Sequence, residues 1–119
     1  MTITTHHVKG AKVAEITADT VIINTAEEAV AIIGTLAYQD YDTVILHRKH
    51  LTPSFFDLKN TLAGDILQKF STYRLRLIIT GTLTDLTGKS VHDFIYESNK
   101  GTTVNFMASS TEALKALTR

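Results

Sequence analysis

Thr43-Val44-Ile45-Leu46-His47 is the run that most restricts this chain. A strand with one wet face alternates apolar and polar residues. Consecutive aliphatics with no alternation demand cover on both faces, as in the central strands of a parallel sheet. A second such run, Leu75 with Leu77-Ile78-Ile79, follows after a long segment of helical period. Doubly covered strands joined by a helix-length connection describe parallel neighbours linked by a right-handed crossover.

The segment between them, Thr52 to Tyr73, supplies the cover. Thr52 can accept a first-turn amide, and Pro53 suits the first helical position, where no N–H is needed. Phe55, Phe56, Leu58, Leu62, Ala63, Ile66, Leu67, Phe70 and Tyr73 then recur at helical intervals on one broad face. The spacing predicts one helix from Thr52 to Tyr73, the keystone of the core. Gly64 interrupts it at a cost of about 1 kcal/mol relative to Ala. That predicts a bend there or a close approach of backbone to the sheet.

The flanks complete the pattern. Residues 3–8 and 12–17 read as a hairpin around Lys9-Gly10-Ala11, and Val21-Ile22-Ile23 as a further short strand. Thr25-Ala26-Glu27-Glu28 has capping-box spacing, starting a helix that ends near Tyr38. Ser90-Val91-His92-Asp93 predicts a helix start at Ser90, with a stop near Asn99-Lys100-Gly101. Val104 to Met107 is a last strand, and Ser109-Ser110-Thr111-Glu112 opens a final helix. The fold class is therefore α/β. One small domain spanning residues 1–119 carries an N-terminal β-hairpin, then alternating strands and helices around a mixed, mainly parallel sheet, with the helices on one side.

Composition narrows the function by exclusion. Twelve basic and twelve acidic residues cancel, so no overall field draws the chain to nucleic acid or a membrane. The distribution is mildly two-toned, with six acidic and no basic residues from Val13 to His47 against eight basic and five acidic from Arg48 to Lys100. There is no cysteine, which removes disulfide and thiol chemistry and leaves a zinc site only His and carboxylates. MTITTHHVKG lacks the apolar core of a signal peptide, and no run approaches the ~18 apolar residues of a membrane span, so the expected location is cytoplasmic.

The motifs divide in the same way. Gly88-Lys89-Ser90 is shaped like the end of a phosphate-binding loop, but the required glycine five residues earlier is replaced by Leu83. A turn feeding a capped helix is expected instead. His6-His7 and His47-x-x-His50 lack the i, i+4 spacing of a helical metal site, and His6 and His7 point to opposite faces of a strand, so no metal is expected. Arg48 and Lys49 follow one central strand while Arg74 precedes the next, which splits the basic residues between two ends and leaves no nucleic-acid footprint. His47 to His50 occupy the carboxyl end of their strand, where open α/β sheets bind ligands. Asp57 is expected in the first turns of the keystone helix, where the macrodipole favours a carboxylate. No nucleophile-elbow signal supports Ser-His-Asp catalysis.

Two stretches carry a resemblance: LTPSFFDLKNTLAGDILQKFSTYRLRLIITG, residues 51–81, and SVHDFIYESNKG, residues 90–101. Through the FFDL, AGDILQKF and DFIYESNKG blocks the chain resembles, over almost its full length, a bacterial family known as domain-of-unknown-function family 4180. That resemblance implies no activity and no cofactor. The element order is in turn similar to the STAS domain of anti-sigma-factor antagonists, which implies a regulatory module that binds a protein partner. Those antagonists are switched by phosphorylation of a Ser or Thr at the start of the helix after a central strand. Here that position falls between Thr52 and Asp57. The antagonists' acceptor directly follows an Asp, whereas Asp57 is followed by Leu58, and Ser54 and Thr52 lie nearby.

The expected function is a non-enzymatic STAS-like module that binds a protein partner or a second copy of itself. Its surface comprises Thr52, Ser54, Asp57, the loop from Gly81 to Lys89, and Ser90. The alternative is a small-molecule or nucleotide-binding domain at the carboxyl edge of the sheet, built from His47, Arg48, His50 and the Thr80 to Lys89 loop.

Overall fold

The computed structural model describes residues 1–118. Five strands, β1 (Thr2–Val8), β2 (Ala11–Thr17), β3 (Thr43–His47), β4 (Arg76–Thr80) and β5 (Val104–Met107), lie side by side in chain order. β1 is antiparallel to β2, and every later pairing is parallel. The hairpin turns on Lys9 and Gly10, both at positive φ (47° and 82°), as a two-residue turn matched to strand twist requires. α1 (Ala26–Tyr38), α2 (Leu62–Thr72) and α3 (Lys89–Asn99) make the three crossovers, and α4 (Ser110–Leu117) follows β5.

β3 and β4 pair in register from Thr43 beside Arg76 to His47 beside Thr80. Val44, Leu46, Leu77 and Ile79 join Ala14 and Ile16 on one face, against Ile33 and Leu36 of α1, Ile66 and Phe70 of α2, and Phe55. Val13, Ile45 and Ile78 face the other way and receive Ala113 of α4, flanked by Leu114 and Leu117. The helices are thus not confined to one side. Three cover one face and α4 closes the other, which the double-sided burial of β3 and β4 demands. Among the described residues no helix is long and apolar enough to cross a membrane.

Local signals explain most element starts. Thr25 caps α1, its Oγ1 accepting the Glu28 amide at 3.1 Å, while Glu28 reaches one residue further back than a capping box requires and accepts the Asn24 amide at 2.8 Å. α4 repeats the device: Ser109 Oγ accepts from Glu112 N, and the Glu112 carboxylate accepts from Ala108 N.

Four further sequence expectations give way. The segment Thr52 to Tyr73 is not one helix but a 3-10 turn, Pro53–Phe56, followed by α2. The break falls at Asp57–Thr61, not at Gly64. Asp57 Oδ1 accepts the Lys59 amide, Asn60 Oδ1 accepts the Leu62 amide, and Asn60 Nδ2 donates to the Ser54 carbonyl, so short polar side chains take over groups that a continuous helix would use. A Cβ at Gly64 would meet nothing within 4 Å, which removes both the bend and the close approach. Val21-Ile22-Ile23 contributes a lone bridge from Ile23 to Leu51 rather than a strand of the sheet. α3 begins two residues early, with Gly88 at the N-cap (φ 102°) and Ser90 already inside the helix, without a capping side chain.

Truncating the fully buried Phe70 to Ala should cost about 3–5 kcal/mol of stability in urea unfolding. Gly64→Ala should raise stability by up to ~1 kcal/mol, since it gains helix propensity without a clash. A loss at Gly64 would contradict the open space around it.

Candidate functional site

The four parallel strands end together at Thr17, His47, Thr80 and Met107. Here the chain must leave the core while still satisfying its backbone. After β3 it does so through a 3-10 turn, Arg48–His50, whose cap is the His47 ring: Nδ1 accepts the Lys49 amide at 3.1 Å. An accepting Nδ1 carries no proton, so neutral His47 holds its proton on Nε2. Burial, reinforced by the charges of Lys49, His50 and Arg48, keeps this imidazole below its ordinary pKa of 6.5.

Gly81, at φ 119°, lies against that ring. An added Cβ would stand 2.7 Å from His47 Nε2 and 3.1 Å from Arg48 Cγ. Only glycine tolerates both the backbone angle and the approach. Arg48 turns to the opposite side. Its Nη1 donates to Asp85 Oδ1 at 2.6 Å and to the Thr82 carbonyl at 2.8 Å, and its Nη2 donates to Asp85 Oδ2 at 3.2 Å. The guanidinium also sits 5.2 Å from the centre of the Phe56 ring. Arg48 therefore lashes the loop after β4 to the turn before α2. Its hydrogen bonds hold the Asp85 carboxyl below the usual carboxylate range.

His50 goes inward. It is 2% exposed, its Nδ1 lies 3.2 Å from the Thr20 carbonyl, and its own carbonyl accepts the amides of Ile22 and Ile23. That double acceptance is what fastens residues 21–23 across the strand ends.

Two depressions of about 320 Å³ each flank Arg48. The one on the α2 and α3 side runs between Phe56–Lys59 and Thr87–Val91. The one on the α4 side is walled by His47, His50 and Thr80, with Glu15 on one flank and Ser109 and Ser110 on the other. The expected site residues are thereby sorted. Asp57, Lys89 and Ser90 meet at the first depression, with Ser54 exposed beside them. His47 and His50 meet at the second. Arg48 and Gly81 form the wall between and do not open freely to either. Thr52 makes no side-chain cap; its amide donates to the Ile23 carbonyl at 3.0 Å. Asp57 lies at the end of the 3-10 turn, outside any α-helix, so the macrodipole account of it is replaced by its hydrogen bond to the Lys59 amide. Lys89 pairs with Asp93 one turn on, which is helix-surface chemistry rather than a phosphate cradle.

The basic residues do split as their order requires. Arg74 and Arg76 line a separate depression at the amino edge with Asp42, Thr102 and Thr103. His6 faces Glu15, with Nε2 2.8 Å from Oε1, while His7 is exposed. No group of three His, Asp or Glu among the described residues is placed to hold a metal ion. Thr80 belongs to the loop that the sequence offers for this edge, whereas Glu15, Ser109, Ser110 and Phe56 are added by the structure. Ser109 has a legible signal, since it stands just beyond the last residue of a parallel strand.

A family model described as Domain of unknown function (DUF4180) matches residues 8–117. The chain belongs to this family. No curated protein and no solved structure matches it. In this DUF4180 chain the FFDL block builds the turn beneath Arg48, and the DFIYESNKG block is the body and stop of α3.

Gly81→Ala should destabilise the chain by more than the ~1 kcal/mol of a neutral left-handed glycine replacement, because His47 must also move; thermal unfolding and the His47 ring resonances would both report it. The pH dependence has a definite sign. His47 is protonated more readily in the unfolded chain, at its ordinary 6.5, than in the folded one. Its stabilising contribution is full above that value and is lost as pH falls through the depressed folded pKa. An imidazole NMR titration should place the His47 midpoint below 6.5; a midpoint above it would contradict this environment.

Proposed function

We propose that this chain is a non-enzymatic, STAS-like interaction module that binds a protein partner through the paired loops of residues 52–61 and 81–90. The observation that carries the reading is the Arg48 clamp. One side chain, through three hydrogen bonds and a stack on Phe56, fixes two otherwise independent loops against each other. Loops ordered before binding do not spend the interface's free energy on being ordered during it.

The surface has the anatomy of a small interface. Phe56 and Leu58 are half-buried at its centre, and Ser54, Asp57, Lys89 and Ser90 stand exposed around them. An apolar centre with a polar rim is the usual arrangement at non-obligate contacts. The element order, similar to STAS domains, supports the same class of function. Ser54 enters this proposal as a contact residue. It is not proposed as a phosphate switch, because it lies in a single 3-10 turn well before α2 and not at the N-terminus of an α-helix.

The test is affinity capture with the full chain from its own cells, read by native mass spectrometry. The charge-reversed pair Asp57→Lys with Lys89→Glu is compared with Glu27→Lys on the remote α1. A stoichiometric protein retained by wild type and Glu27→Lys, and lost at least tenfold in the double variant, is the expected result. Retention by all three would move the contact elsewhere. Recovery of the bare chain alone would remove the interaction reading, and recovery as a dimer sized by light scattering would replace the foreign partner with a second copy.

A further inference from the structure

The depression on the α4 side has a feature that protein–protein contact does not use. His50 is 2% exposed, and its Nδ1 faces a carbonyl oxygen, that of Thr20 at 3.2 Å. A carbonyl only accepts, so Nδ1 carries a proton, and whenever the ring is neutral Nε2 is the acceptor. Among the described residues Nε2 has no hydrogen-bond partner, yet no sealed side-chain nitrogen or oxygen is left unpaired. Nε2 is therefore open to the outside, and the ring lines this depression. Water, or the hydroxyl of a bound molecule, can donate to that atom.

His47 is the complement. Its Nδ1 is occupied by the Lys49 amide, which leaves Nε2 as the N–H donor, and its ring stands edge-on to His50 with centroids 6.4 Å apart. Neighbouring imidazoles are thus locked in opposite tautomers, one accepting and one donating. Across the cleft stands the start of α4. Ser109 Oγ takes the Glu112 amide and the Glu112 carboxylate takes the Ala108 amide, so the first-turn amides of Ser110 and Thr111 have no partner among the described residues, and Ser110 lines this cleft. Thr80, 4% exposed, adds a hydroxyl whose contact to the Leu46 carbonyl is long, at 3.5 Å. Lys49 supplies a cation at the rim. Glu15, the carboxylate on this wall, is already engaged by His6.

We propose that this cleft binds a small organic oxyanion that carries a hydroxyl beside its anionic group. The hydroxyl donates to His50 Nε2, and the anionic oxygens accept from the α4 amides, His47 Nε2–H and Lys49. The position, at the joined carboxyl ends of parallel strands, is where open α/β sheets hold ligands. A volume of about 320 Å³ is at the low end for ligand pockets and suits a short hydroxy acid or its phosphorylated form, not a dinucleotide. The site is chemically separate from the loops proposed for protein contact, with no lining residue in common.

The experiment uses the full chain with 15N-labelled histidine and follows the imidazole nitrogens by long-range 1H–15N spectra. Glycolate, lactate, phosphoglycolate and inorganic phosphate are each titrated against chloride at matched ionic strength. Saturable movement of His50 Nε2 with at least one organic acid, weakened about tenfold in Ser110→Asp, is the expected result. That variant places a carboxylate where the helix favours it, so the fold is kept while an anion is repelled. No saturable response to any probe overturns the proposal, as does an unchanged response in Ser110→Asp. Equal response to inorganic phosphate and to the organic acids overturns the hydroxy-acid assignment in favour of bare oxyanion binding. A spectrum in which His50 Nε2 carries the proton overturns its acceptor role.

Discussion

The parallel pairing of β3 and β4 is the constraint from which the rest of this molecule follows. Both strands are buried on both faces, so a single layer of helices cannot satisfy them. α1, α2 and α3 arise as crossovers and fall on one face by the handedness rule. The other face would stay wet without α4, whose Ala113 rests on Val13, Ile45 and Ile78. The same ladder fixes the chemistry at its end. Register sets His47 beside Thr80, and one residue further on each strand come Arg48 and Gly81. Those four residues decide what faces α4 and what faces the loops.

Leaving such a core is harder than entering it. Every amide at the strand ends needs a partner, and the segment after β2 has no strand to pair with. Residues 21–23 meet the demand by sharing the His50 carbonyl between two amides and returning the Ile23 carbonyl to Thr52. Burying His50 is the consequence. Its backbone anchors the crossing segment, and its side chain is carried inward with one nitrogen tied to Thr20.

The sequence made strands β3, β4 and β5 and helices α1 and α4 legible, because their signals are local: unbroken aliphatic runs and serine or threonine caps with an acid three residues on. It misled where two local codes competed. Phe55 to Tyr73 has helical spacing throughout, but Asp57 and Asn60 offer side-chain hydrogen bonds that divert the backbone into turns. Their presence was the readable counter-signal. Ser90 looked like a cap by its spacing to Asp93, yet Gly88 begins the helix two residues earlier and Asp93 is taken by Lys89. Val21 to Ile23 was apolar for burial, not for pairing. For the site, His47 and His50 were visible from their place after a central strand. Their partners were not. Glu15, Thr20 and Ser109 come from parts of the chain distant from the His47 to His50 turn, and only the closed sheet brings them within reach.

His47 and Arg48 are adjacent in sequence and serve opposite sides of the same wall. The His47 ring and the Arg48 stem both rest against Gly81, within distances that leave no room for a Cβ. A shift of the His47 ring therefore presses on Gly81, and Gly81 begins the loop that Arg48 holds through Thr82 and Asp85. In a close-packed interior such a contact is stiff rather than compliant. The two clefts are thus chemically separate but mechanically continuous, and glycine at position 81 is the element that makes the continuity possible.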